Sequence, residues 1–69
     1  GNNTEYNELA KQYSDALVSM PEKQRIAFLL SRNENLKYHE ISQRLNISVK
    51  AVEKRVSGAL EILRKKLSD

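Results

Sequence analysis

Apolar residues recur every three or four positions along nearly the whole chain, and only two glycines and one proline interrupt them. That spacing is the period of one face of an α-helix; the faces of a strand alternate every second residue instead. Tyr6, Leu9, Tyr13, Leu17 and Met20 predict a first helix, with Glu5 and Glu8 near its positive end. Pro21 fixes φ and lacks an N–H. It therefore ends that helix and suits the first position of the next, expected over roughly 21 to 32 through Ile26, Leu29 and Leu30. Asn33, Glu34 and Asn35 break the pattern, and asparagine tolerates the left-handed conformation that closes many helices. Ile41 and Leu45 define a short third helix from about Tyr38 to Leu45, stopped by Asn46. Ser48 is a good N-cap for a fourth helix carrying Val49, Val52, Val56, Ala59, Leu60, Leu63 and Leu67. The expected fold class is all-α, with four helices.

Sixty-nine residues make one domain at most, one that buries only roughly 60% of the surface its unfolded chain exposes. There is no cysteine, and His39 alone cannot supply the three or four ligands that zinc requires, so neither a disulfide nor a metal site is expected. The longest apolar run, Ile26 to Leu30, is far too short to span a bilayer, and no charged-then-apolar leader opens the chain. A soluble, cytoplasmic protein with no membrane partner is expected. Gly1, without an initiator Met, reads as a tag scar. Residues 1–3 are then a scar and frayed linker, and 4–69 the domain. With one histidine, no glycine-rich loop and no paired carboxylates, nothing here combines nucleophile and base. No enzyme activity, cofactor or small-molecule substrate is expected.

Charge is unevenly distributed. Residues 1–49 hold six Lys/Arg and six Asp/Glu, whereas residues 50–69 hold six and three, so the net charge of +3 belongs to the fourth helix. At 100° per residue, Lys50, Lys54, Ser57 and Glu61 fall opposite Val52, Val56, Ala59 and Leu63, with Glu53 and Arg55 on the flanks. Cations in a first turn oppose the helix dipole, so Lys50 and Lys54 are not placed for helix stability, and an external anion is the simpler explanation. A mixed Lys/Glu face is often only solvated surface. Here, however, it follows a short helix and a three-residue turn, the arrangement by which a helix-turn-helix lays its second helix in the DNA major groove.

Ser42, Asn46, Ile47, Ser48 and Val52 have the spacing of that motif: a small residue where helices approach, a turn residue, a plug, a cap and a buried β-branched residue. The stretch from Met20 to Leu67 resembles the region-four domain of extracytoplasmic-function sigma factors, the promoter-specificity subunits of bacterial RNA polymerase. The resemblance is carried by Pro21 and Arg25, the Tyr38–Ile41 start of the third helix, Asn46-Ile47-Ser48, Val52, and the ending Ala59-Leu60 to Leu63-Arg64. It implies a four-helix helix-turn-helix fold, winged-helix-like without the wing. It also implies that the fourth helix reads the promoter element near minus thirty-five in double-stranded DNA, that other surfaces dock on RNA polymerase core, and that an anti-sigma factor is a possible partner. The chain departs from the family pattern at Asn35 and Lys37, where Gly and Ser are usual, so an N-cap is expected to be lost. At Gly58 the family often has a larger or basic residue, and the glycine costs about 1 kcal/mol relative to Ala.

Side-chain chemistry then assigns roles. Lys50 and Lys54 can donate to guanine or phosphate, Glu53 can accept from cytosine N4, and Ser57 can do either, which makes these four the candidate base contacts. Lys37, Arg44, Ser48 and Arg55 are the candidate phosphate contacts. For each of the charged residues the competing reading is a solvated charge. Tyr6, Tyr13 and Phe28 are expected in the core and His39 on the surface. Two rival functions share the pattern: the output domain of a response regulator, against which Pro21 and Arg25 stand, and a helical interaction or dimerisation module using the Val49–Leu67 stripe.

Overall fold

The computed structural model describes residues 4–68, with side chains from Asn7 onward. Its elements are α1 (Thr4–Ser19), α2 (Glu22–Arg32), α3 (Tyr38–Leu45) and α4 (Val49–Leu67). The first three positions and Asp69, and with them the expected scar and linker, lie outside the described residues, as does the Tyr6 side chain. α4 packs on all three other helices, and α2 also packs on α3.

Two buried clusters share α4. Ala16 and Met20 meet Phe28, Ala59 and Leu63 in one. Ala27 meets Ile41, Val52 and Val56 in the other, rimmed by Leu36, Leu45 and Ile47. Adjacent residues of α2, Ala27 and Phe28, thus serve different clusters, so α2 ties the helix-turn-helix to the rest of the bundle. Phe28, Ile41 and Val52 are the largest fully buried side chains, each stabilising the fold by roughly 1.5–3 kcal/mol.

The chain reversals follow from particular residues. Pro21 precedes α2 as its N-cap (φ −56°, ψ 145°) instead of standing inside the first turn, as the sequence had suggested. Its extended ψ carries the chain from one helix to the next, and its carbonyl accepts from Arg25 N at 3.0 Å. Arg25 closes the other side of the joint: Nη1 donates to the carbonyls of Leu17 (3.0 Å) and Met20 (3.3 Å), which have no helical donors left. After α2 the left-handed residue is Asn35 (φ 55°), while Asn33 stays right-handed. A family glycine at that position is thus explained by the backbone. The expected loss of the α3 cap is partly made good, because the Glu40 carboxylate accepts the Lys37 backbone N–H at 2.8 Å, one half of a capping box.

The helix-turn-helix joint matches the sequence reading closely. Asn46 is left-handed (φ 57°, ψ 48°). Ile47 N–H reaches back to the Ser42 carbonyl at 3.0 Å, the six-to-one bond of a Schellman turn. Ser42 is buried, and its hydroxyl donates to the His39 carbonyl at 2.7 Å, so no polar atom of it is left unpaired where the helices approach. Ser48 Oγ accepts from Ala51 N at 3.0 Å and starts α4.

Burial departs from periodicity on three helices. Leu9 and Tyr13, expected in the core, are 53% and 37% exposed. On α1 every residue from Asn7 to Lys11 is exposed, and full burial comes only at Ala16. Leu60 and Ile26 were also expected inside and are exposed; the buried arc of α4 is narrower than its apolar stripe, and α2 turns Ala27 and Phe28 inward. Phe28 is buried and His39 exposed, as expected.

Candidate nucleic-acid interface

The dipole rule separates α4 from its neighbours. α2 and α3 each carry an acid in the first turn and a base in the last, Glu22 with Arg32 and Glu40 with Arg44. The first turn of α4 holds no acid and does hold Lys50, while Arg64, Lys65 and Lys66 sit favourably in its last turn. Lys50 thus stands, with Lys54 one turn on, where the helix end is already positive and where an anion would be attracted.

Lys50, Glu53, Lys54 and Ser57 are all exposed and together line one shallow concavity on the first turns of α4. The four candidate base contacts therefore form a single surface. Ser48, at its start, spends one lone pair on the cap and keeps its O–H free to donate. Arg55 is half-buried, on the opposite flank of α4 from Glu53, where its stem can lie on apolar surface with the guanidinium reaching water. Lys37 and Arg44 are exposed at the two ends of α3. None of the four phosphate candidates lines the concavity.

Further along α4, Glu61 accepts from Arg64 one turn on. This hydrogen bond, with the charge of Arg64, holds the Glu61 carboxyl below its ordinary range and raises the Arg64 guanidinium. Since the folded-state value is depressed, what the pair contributes is present at neutral pH and lost as pH falls through the carboxylate range. Both groups are open to water, so that contribution is small.

A second feature is not legible from periodicity. Tyr13, Phe28, Leu60, Leu63 and Leu67 line a groove of about 750 Å³ between α1, α2 and α4, with Arg32, Glu61 and Arg64 on its lining. Arg32 stands over the Phe28 ring, 5.7 Å from its centroid, a cation–π contact. Ser57 lines both this groove and the concavity, so the two surfaces adjoin. The exposed positions of Tyr13 and Leu60 were the missing signal: apolar residues with core spacing that no element covers among the described residues.

A short helix, a left-handed turn and a capped second helix with a basic exposed face define a helix-turn-helix DNA-binding domain. Residues 10–63 match the family model described as Sigma-70, region 4, and the chain belongs to that family. No curated protein matches it. Membership makes it a promoter-binding domain of a sigma factor, one that works with RNA polymerase and belongs to a non-catalytic, DNA-binding class. No helix among the described residues is long and apolar enough to cross a membrane.

Proposed function

We propose that the concave face of α4 reads the promoter element near minus thirty-five in the major groove, with residues 4–69 acting as the C-terminal domain of a sigma factor of the extracytoplasmic-function type. Lys50, Glu53, Lys54 and Ser57 meet base edges, and Lys37, Arg44, Ser48 and Arg55 hold the phosphates on either side. The observation that carries this reading is the charge at the start of α4: Lys50 stands in the first turn, where the helix end is already positive, and Lys54 follows one turn on, on a concave face that also carries an acceptor and a hydroxyl. Such a mixed donor and acceptor set discriminates bases, whereas a purely basic face would grip only the backbone.

The adjoining groove on α1, α2 and α4 is the docking surface for RNA polymerase core in this reading, because its apolar floor is left open among the described residues. An anti-sigma factor competing for that groove fits the same surface, and cytoplasmic residence follows from work on promoter DNA.

Fluorescence anisotropy with a labelled duplex at several salt concentrations tests the reading. A handful of phosphate contacts gives micromolar or weaker binding that falls steeply with salt, each contact contributing about −0.9 to the slope of log K against log salt. A flat salt dependence would favour the interaction-module alternative.

A further inference from the structure

Gly58 lies inside α4, half-buried, where glycine is less favourable than alanine. A β-carbon there would stand 2.6 Å from Gln24 Nε2 and 2.9 Å from Gln24 Cδ. The amide of Gln24, reaching across from α2, therefore lies directly on the backbone of the recognition helix. Its Oε1 is buried and has no hydrogen-bond partner among the described residues. Both features act against stability, and neither is needed to fill the two apolar clusters.

The place of this contact on the helix gives it a use. At 100° per residue Gly58 lies on the half-buried side of α4, about 160° from Val56, and Lys54, one turn earlier, is its exposed neighbour. Val56, on the nearly opposite side, is packed in the second cluster. Rotation of α4 about its axis would carry a neighbouring side chain onto the amide, so the seat at Gly58 resists roll. Gln24 itself is well anchored, since the next residue, Arg25, is tied to the end of α1.

We infer that Gln24 is a positioning residue for base recognition: its amide, seated on Gly58, sets the roll of α4 and so the angle at which Glu53, Lys54 and Ser57 meet the groove. This rests on the reading of the α4 face given above. It predicts base preferences that depend on a residue on another helix, one outside the concave face that meets the DNA.

Competition binding against duplexes carrying every single-base change in the preferred element tests it, using the 69-residue chain, Gly58→Ala, Gln24→Ala and the double variant. Gly58→Ala wedges the helix and lowers discrimination at one or two positions by about five- to tenfold, while affinity for a random duplex stays within about twofold. The double variant relieves the clash but also lacks the seat, so its loss is no larger than that of Gln24→Ala alone and the two changes are not additive. Gln24→Ala alone, which adds no atoms and so keeps the fold, lowers discrimination at the same positions. Unchanged preferences in Gly58→Ala and Gln24→Ala, or losses that simply add in the double variant, would overturn the inference while leaving the α4 reading intact. A parent chain that prefers no sequence at all would overturn both.

Discussion

At the scale of single residues, two asparagines do what glycine does in many chains. Asn35 and Asn46 both hold positive φ, the one in the turn before α3 and the other in the turn between α3 and α4. Asn46→Ala keeps the β-carbon in the left-handed region but loses the side-chain amide that compensates for it, and should cost roughly 1–2 kcal/mol, whereas Asn46→Gly should be nearly neutral. Urea denaturation of the two variants checks this; equal loss in both would mean that the asparagine amide, not the backbone, holds the turn. On α4 the residues divide by direction. Glu53→Ala and Lys54→Ala should alter which bases are preferred, by about 1–3 kcal/mol at a position. Arg55→Ala should weaken binding to all duplexes alike and reduce the salt slope by about 1. Base preferences unchanged in the first two variants would remove Glu53 and Lys54 from the reading surface.

At the scale of elements, much was legible before any coordinates, and the reason is local. α3 and α4 have the bounds that Asn46 and Ser48 imply, because a left-handed stop and a hydroxyl cap act on the nearest backbone groups only. Pro21 was displaced by one position for a similarly local reason, its extended ψ. What periodicity could not give is which part of an apolar stripe another element covers. Leu9, Tyr13 and Leu60 have core spacing and lie open, and Arg25, a family marker in sequence, proves to be the clamp on the end of α1. The seat of Gln24 on Gly58 joins residues far apart in sequence, and no spacing rule anticipates it. The open residues yield a prediction for the groove. Leu60→Glu puts a charge on its apolar floor without touching the buried clusters, so it should abolish capture by RNA polymerase core while leaving duplex affinity within about twofold. Retention of polymerase binding in a pull-down would place the docking surface elsewhere.

At the scale of the whole molecule, one helix carries three duties: α4 completes both clusters, lines the groove and presents the basic face. Holding melted strands is a different task, requiring aromatic platforms beside a positive channel. None of the four aromatics belongs to α4; Phe28 is buried, Tyr38 packs at the rim of the second cluster, and Tyr13 lines the groove. Added with core polymerase to a promoter, the domain should therefore produce no reactive, unpaired thymines near the start site; their appearance would show that it opens DNA. The proposed reading of bases by the concave face of α4 is tested by sequence selection from a fully randomised duplex. It should be run with the parent chain and with a chain in which Lys50, Glu53, Lys54 and Ser57 are all alanine. These four positions are exposed, so the fold should survive the change. The parent chain should recover one short defined element and the substituted chain none; recovery of the same element by both would mean that this face does not read bases.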